Sequence, residues 1–255
     1  MLKEERLDKI VNLANENEIV LTEALIEQVG VSPATIRRDI NELVEQGRIE
    51  KVRGGVMSKH RRSSLEPSYS AKGRMNYEEK RRISQRASEL VESGGSIMLD
   101  SGSTCLELAK MLYGRSNLSI VTNDLLIAME FAANQNNNSV IFAGGLLRRD
   151  YYASYGSFCE DMLRQIHVQR AFMGVDAVDI KRGIMSYTPD DIRVKQIMME
   201  ISDEVILLCD HTKFDAAAYI RIGPLTGVSR IITGRELSDD NYRSLCELGV
   251  PVERV

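Results

Sequence analysis

The sequence lacks the features that mark membrane, secreted or metal-binding proteins. Its longest apolar runs fall far short of the roughly 18 residues that a membrane-spanning helix needs. Residues 1–6 (M-L-K-E-E-R) lack the apolar region of a signal peptide. Four cysteines form no C-x-x-C pair and three histidines are isolated, so no metal-ligand spacing is present. We therefore expect a cytoplasmic protein with free thiols, without a metal, a cofactor or a membrane partner.

The length and the distribution of charge indicate two domains with different tasks. A chain of 255 residues can form two domains that each bury a core. The net charge is −4, yet residues 32–62 hold eight Lys/Arg against four Asp/Glu, a local charge of +4. Such a local concentration of positive charge favours contact with nucleic acid.

Residues 1–57 have the pattern of a winged helix-turn-helix. An apolar stripe predicts a first helix over 3–16, and Thr22 can cap a second helix that ends before Gly30. Ser32, followed by Pro33, caps a third helix. Gly47 is expected to end it, and residues 48–53 alternate as a strand does before the turn at 54–55.

Polar residues off the apolar stripe of the third helix can face DNA. Arg37 or Arg38 is expected to read base edges, most simply guanine, in a major groove. A carboxylate is repelled by phosphates, so Asp39 is expected to orient an arginine or cap locally instead. The predicted DNA-contacting residues are Ser32, Thr35, Arg37, Arg38 and Asn41 on the helix, with Arg48, Lys51 and Arg53 as phosphate contacts on the wing.

Residues 58–76 have linker composition, and the pattern changes at residue 77. The segment is polar and contains Pro67 and Gly73. From 77 to 255, helical stripes alternate with short apolar strands at 96–100, 118–122, 139–143, 171–174, 204–209 and 230–233. This alternation predicts a mainly parallel α/β sheet covered on both faces.

The clearest site signal is Asp100-Ser101-Gly102-Ser103-Thr104, between a strand and a helix. Backbone N–H groups at a helix N-terminus favour an anion such as phosphate, and the hydroxyls add donors. The alternative interpretation is a helix cap, which Ser103 would satisfy.

Other polar residues follow strands at the same predicted sheet edge. Thr122 and Asn123, Gly144, and Asp176 each follow a strand, and ligands bind at the carboxyl ends of such sheets. The alternative is that these residue types only satisfy turn geometry.

Two lysines are further candidates. Lys195 could bind a ligand or form an i,i+4 salt bridge with Asp191, and Lys213 follows a strand end but could be an exposed loop residue. Arg148 and Arg149 are expected at the surface or in an interface.

These motifs resemble those of the DeoR family of bacterial transcription regulators over nearly the full chain. The T-I-R-R-D-I pattern starts at Thr35, with Arg6 placed upstream and G-G at 54–55. L-D-S-G-S-T starts at Leu99, V-T-N at Val121 and D-H-T-K-F at Asp210, with G-G at 144–145 and V-K at 194–195. The resemblance implies a small N-terminal winged helix-turn-helix and a C-terminal domain similar to ribose-5-phosphate isomerase.

The resemblance implies a DNA-binding regulator, a repressor of carbohydrate-metabolism genes controlled by a phosphorylated sugar. Its expected partners are a double-stranded DNA operator, that sugar and further copies of the chain in a homodimer or homotetramer. Two alternatives are a sugar-phosphate isomerase fused to a DNA-binding module, and an oligomerisation domain with a vestigial pocket. The expected effector contacts are residues 101–104 with Asp100, Thr122, Asn123, Gly144, Asp176, Lys195 and Lys213.

Overall fold

A computed structural model describes residues 3–16, 19–46, 48–52, 54–58, 66–133 and 137–255. The chain forms two compact units, Met1–Ser63 and Ser64–Val255. Within the described ranges, each helix is too short or too polar to cross a bilayer.

The first unit is a winged helix-turn-helix, which confirms the prediction. Its small antiparallel sheet has the strand order β1-β3-β2. Ile36, Ile40 and Leu43 of the third helix are buried against the other helices. The elements are α1 (Lys3–Glu16), β1 (Val20–Leu21), α2 (Thr22–Val29), α3 (Pro33–Glu45), β2 (Ile49–Val52) and β3 (Gly55–Ser58).

Local chemistry explains where these helices begin and end. The Ser32 hydroxyl accepts a hydrogen bond from the Thr35 N–H at 3.2 Å, so Ser32 caps α3 as expected. Gly30 ends α2 with φ of 74°. Thr22 is not the cap of α2: it is the first helical residue, and its N–H donates to the Gly54 carbonyl at 2.9 Å. The predicted stop at Gly47 lies outside the described residues.

The two glycines of the wing serve different purposes. Gly54 has φ of 84°, in the left-handed region that favours glycine at a turn. A Cβ on Gly55 would lie 2.3 Å from the Val20 carbonyl oxygen, so only glycine lets β3 approach β1 this closely.

The second unit alternates helices and strands. Its helices are α4 (Tyr69–Arg74), α5 (Tyr77–Ser88), α6 (Ser103–Met111), α7 (Leu125–Ala132), α8 (Ser157–Leu163), α9 (Asp190–Glu200) and α10 (Asp239–Glu247). Its strands are β4 (Ser96–Leu99), β5 (Ser119–Thr122), β6 (Ser139–Phe142), β7 (Leu146–Arg148), β8 (Ala153–Tyr155), β9 (Val168–Gly174), β10 (Ala177–Asp179), β11 (Gly183–Ser186), β12 (Ser202–Leu208), β13 (Ile220–Gly223), β14 (Arg230–Thr233) and β15 (Val252–Arg254).

A seven-stranded sheet organises this unit and confirms the predicted fold class. Its order is β15-β14-β12-β9-β4-β5-β6, and every pairing is parallel. One face packs against α5, α6 and α7, and the other against α8, α9 and α10. Smaller antiparallel pieces, β7-β8 and β10-β11-β13, lie outside this sheet. Because the strands are parallel, their carboxyl ends all lie at the same edge of the sheet.

The segment predicted as a linker, 58–76, is folded in its second half. Residues 69–74 form α4 and belong to the second unit. The Ser68 hydroxyl caps α4 by accepting a hydrogen bond from the Ala71 N–H at 3.3 Å, and Tyr69 and Ala71 are buried. Residues 59–65 lie outside the described part. Polar composition here reflects a short helix with one buried face.

Candidate functional site

A cavity lies at the carboxyl ends of β4, β9 and β12 in the second unit. Its empty volume is about 580 Å³ when its opening to solvent is included. The structure brings several predicted effector contacts to its wall: the loop 101–104, Asp176, Lys195 and Lys213.

The N-terminus of α6 forms one wall and is not capped by a side chain. Gly102 holds the N-cap position with φ of 145°, and Ser103 is already helical, so the cap alternative for Ser103 does not apply. The first N–H groups of a helix have no intrahelical acceptor, and here they border the cavity. Asp124 fixes this loop, since its Oδ2 accepts from the Gly102 N–H at 3.3 Å while its Oδ1 caps α7.

Asp100 lies beneath this wall and positions Lys195. Its Oδ1 accepts from the Ser101 N–H at 2.8 Å, and its Oδ2 accepts from the Gly174 N–H at 2.9 Å and from Lys195 Nζ. Lys195 also donates to the Gly174 carbonyl at 3.0 Å. Burial opposes the charge on Lys195, but Asp100 and Asp191 outweigh it and raise its pKa. The ammonium thus pairs with Asp100, and the expected i,i+4 salt bridge with Asp191 is not formed.

A second ion-pair network crosses the cavity. Lys72 Nζ lies 2.7 Å from Asp176 and 2.6 Å from Glu66, and Glu66 also pairs with Arg148. Burial disfavours the Asp176 carboxylate, but Lys72 and Lys213 outweigh it and lower its pKa below the usual range. Arg148 therefore lines the cavity, which corrects the expectation that it lies at the surface or in an interface.

Lys80 is the least neutralised buried cation of the cavity. Only 3% of it is exposed, and its ammonium donates to the carbonyl of Lys72. No carboxylate of the described residues lies within 4 Å of it, and burial lowers its pKa to about 8. Lys213 follows β12 in a short 3-10 helix, His211–Phe214, that Asp210 caps. Lys80 and Lys213 are therefore available to pair with an anionic ligand.

Three predicted contacts lie elsewhere. The Thr122 hydroxyl donates to the Leu99 carbonyl at 2.7 Å, and Asn123 Nδ2 donates to the Ser154 carbonyl at 3.1 Å. Both side chains are buried and join β5 to its neighbours. Gly144 is also absent from the cavity wall, so none of the three residues contributes to the cavity.

Sequence reasoning missed ten further wall residues, among them Glu66, Tyr69, Lys72, Lys80, Arg148 and Tyr151. The first three lie in the segment with linker composition. Lys80 had a usable signal, because it shares the buried face of α5 with Ile83 and Ala87 at helical spacing. A lysine on the apolar stripe of a helix is therefore a candidate for a buried residue that contacts a ligand.

A possible metal-ligand cluster adjoins α5 but is already satisfied. Ligand atoms of Glu79, Asp210 and His211 lie within 4.8 Å of one another. Glu79 accepts from the His211 N–H and Nδ1, each at 2.7 Å, and Asp210 accepts from Asn76 at 2.9 Å. A cation would have to displace these hydrogen bonds, so the geometry describes a structural network.

In the first unit, α3 and the wing present an exposed polar surface. Arg37, Arg38 and Asn41 are exposed, as is Lys51, whose Nζ lies 3.5 Å from Asn41 Oδ1. The Thr35 hydroxyl lies 2.8 Å from that of the exposed Ser32. These predicted DNA contacts therefore share one surface of α3 and β2.

Arg48, a predicted phosphate contact of the wing, differs from these residues. Arg48 Nη2 pairs with Asp8 of α1 at 2.6 Å, so its charge is partly neutralised within the unit. Arg53 lies outside the described residues. Asp39 is buried and accepts two hydrogen bonds from Arg6, at 2.5 and 3.0 Å, which fits the expectation that it orients an arginine.

Comparisons with known proteins cover nearly the whole chain. Residues 6–62 match a DeoR-like helix-turn-helix domain, and residues 75–235 match a DeoR C-terminal sensor domain. An uncharacterized HTH-type transcriptional regulator from Haemophilus influenzae is 33% identical, covering 98% of this chain and 96% of the relative. The glycerol-3-phosphate regulon repressor of Escherichia coli K12 is 31% identical over 91% of each chain.

One solved structure to which the chain is similar is a ribose-5-phosphate isomerase A from Methanocaldococcus jannaschii. The TM-score is 0.40 at 17% identity, over 55% of each chain.

Proposed function

The chain belongs to the DeoR family of transcriptional regulators, and we propose that a phosphorylated sugar in the cavity controls its binding to operator DNA. In this proposal the protein is a cytoplasmic repressor of carbohydrate-metabolism genes. The observation that carries the proposal is the uncapped α6 N-terminus facing a cavity lined by five cationic side chains. That an Escherichia coli relative is a repressor of a glycerol-3-phosphate regulon supports a phosphorylated effector.

The charge of the cavity favours a phosphate dianion. Among the described residues that line it, five side chains are cationic and three are anionic, so it stays positive even with Asp100 counted. Phosphate would accept hydrogen bonds from backbone and hydroxyl groups of residues 101–104, with Lys80 and Lys213 balancing its charge. Asp176 would accept from sugar hydroxyls. Asp100 is assigned to positioning Lys195, because it does not line the cavity and accepts from Lys195 Nζ.

The proposed contacts with DNA bases lie on the exposed surface of α3. Arg37 and Arg38 would read base edges in a major groove, with Thr35, Asn41 and Ser32 contacting bases or phosphates. Lys51 would contact a phosphate, and Arg53 remains a predicted one. We infer a homodimer or homotetramer, since helix-turn-helix proteins bind paired half-sites, and light scattering of the purified chain tests this.

The experiment is a matched ligand panel. Glycerol 3-phosphate, ribose 5-phosphate and glucose 6-phosphate are compared with glycerol, ribose and glucose by thermal shift and by release of DNA fragments selected from a random pool. We expect at least one phosphorylated compound, and none of the others, to raise the melting midpoint and change DNA affinity. Equal effects within each pair, or no effect across the panel, would refute the proposal.

We further propose that the cavity binds without catalysing isomerisation. A general base works best with a pKa near the operating pH, whereas Lys72 and Lys213 lower that of Asp176. Lys195 is held by Asp100 and the Gly174 carbonyl. Turnover of ribose 5-phosphate above the background rate, followed by NMR, would contradict this.

A further inference from the structure

Glu66 occupies the cavity as an internal anion. Its side chain is 8% exposed, and its Oε1 accepts from Lys72 Nζ at 2.6 Å. Both carboxylate oxygens accept from the Arg148 guanidinium. A carboxylate that bridges two cations in this way holds the charges that an anionic ligand would use.

The backbone around Glu66 is anchored at the same place. The Tyr151 hydroxyl lies 3.3 Å from the Glu66 carbonyl oxygen and 3.0 Å from that of Pro67, to which it donates. The Arg148 guanidinium lies 3.9 Å from the centroid of the Tyr151 ring. The first described residues of the second unit are therefore fixed to the cavity wall by Tyr151 and Arg148.

Glu66 is the displaceable member of this network. Lys72 has a second carboxylate partner in Asp176, and Arg148 has one in Asp191 at 3.6 Å. Asp176 directly follows β9, and Asp191 lies in the first turn of α9, so both belong to the frame around the large sheet. Glu66 comes before α4, in a stretch without regular structure. If its side chain moves away, Lys72 and Arg148 each retain a carboxylate partner.

We propose that Glu66 competes with the effector for Lys72 and Arg148, and that its release transmits binding to the DNA-binding unit. This inference rests on the proposed function, because it needs an anionic ligand in the cavity. The residue lies three positions after the boundary between the two units. Freeing its side chain removes the ion pairs with Lys72 and Arg148 that hold the start of the second unit to the cavity wall.

Thermodynamic linkage predicts that a change at Glu66 alters both ligand affinity and operator affinity. If release of Glu66 accompanies ligand binding, then removing its charge must favour the ligand-bound state even without ligand. The same change must strengthen ligand binding and shift operator affinity toward its liganded value, whichever direction that is.

The test compares full-length wild type with Glu66→Gln, and with Glu253→Gln as matched control. Glu253 also bridges two cations, Arg86 and Arg230, but does not line the cavity. Calorimetric titration uses inorganic phosphate and the three sugar phosphates named above. We expect Glu66→Gln to bind about tenfold more tightly and to shift ligand-free operator affinity, while Glu253→Gln matches wild type.

Hydrogen exchange separates this inference from the proposed function. In wild type, ligand should slow exchange of residues 101–106 and speed exchange of 66–75, and Glu66→Gln should show fast exchange at 66–75 without ligand. Slowing at 101–106 with no change at 66–75, together with wild-type ligand affinity in Glu66→Gln, overturns the inference alone. No binding of any compound by wild type overturns both. Glu66→Asp, which retains the charge but shortens its reach, provides an intermediate variant if Glu66→Gln does not fold.

Discussion

The two units use the same kind of residue, a basic side chain, in opposite surroundings. Arg37, Arg38 and Lys51 of the first unit are exposed to solvent. Lys195 and Lys80 of the second unit are buried, and Lys195 is paired with the buried Asp100. Exposed charges contribute little to folding but are available to a polyanion, whereas buried charges are strongly coupled to their neighbours. The comparison separates exposed cations that we propose to contact DNA from buried cations that also stabilise the fold.

The largest expected effect is on stability, from removing one member of the buried pair. Lys195→Met leaves the Asp100 carboxylate buried without its cation, so it should lower the free energy of unfolding by about 3–5 kcal/mol. Chemical denaturation followed by circular dichroism measures this. Lys181→Met, at an exposed lysine of the same unit, is the control. If Lys195→Met lowers the free energy of unfolding by less than about 1 kcal/mol, the Lys195–Asp100 pair contributes no more to stability than an exposed ion pair does.

The next effect should appear only in DNA binding. Arg37→Ala should reduce discrimination between operator and unrelated DNA by about 10- to 100-fold, because a bidentate base contact is lost. Its thermal midpoint should stay at the wild-type value. Lys9→Ala, an exposed α1 residue that donates to the Gln28 carbonyl, serves as control. Full site selectivity in Arg37→Ala would show that α3 does not read bases through this residue.

The effector affinity should fall as the pH rises through the pKa of Lys80. Burial lowers that pKa to about 8, so the ammonium is present at pH 7 and largely lost at pH 9. Asp210 and Lys72 keep their charges in this range, and phosphate is already dianionic. We expect about tenfold weaker binding at pH 9 than at pH 7 by calorimetry. Lys80→Met should bind weakly at both values, and a persisting pH dependence in it would assign the titration to another group.

The smallest effect should come from the wing. Lys51→Ala should weaken binding to all DNA sequences alike and reduce the slope of log affinity against log salt by about 1. Titrations at several salt concentrations, with specific and random duplexes, measure this slope. Arg48→Ala is an informative comparison, since its pairing with Asp8 predicts a smaller change. A selective loss for operator DNA in Lys51→Ala would mean that the wing reads sequence.

The predictable part of the fold follows from periodicity and from the positions of strand ends. The loop 101–104, Asp176 and Lys213 were predicted together because parallel strands bring their carboxyl ends to one edge. Thr122 is the last residue of such a strand, but its hydroxyl donates to the Leu99 carbonyl of the neighbouring strand. Which way a strand-end side chain points depends on packing across strands, which a single sequence does not specify.

Residues that reach the cavity from outside the sheet were harder to predict. Glu66 and Lys72 lie in a polar segment whose composition is typical of linkers, and only the tertiary fold shows that they pair with Arg148 and Asp176. Charged residues separated by about 80 or 100 positions give no local pattern. Such long-range ion pairs are the part of the site that hydrophobic periodicity cannot indicate.

The pairing of Arg6 with Asp39 has a consequence for re-engineering DNA specificity. Asp39 is held against α1 by two hydrogen bonds, next to Arg38 in sequence but turned away from it. The orientation of α3 is thus fixed from behind, by groups that take no part in the exposed surface. Positions 37, 38 and 41, the proposed DNA contacts, can therefore be randomised together while the Arg6–Asp39 hydrogen bonds that orient α3 are left intact.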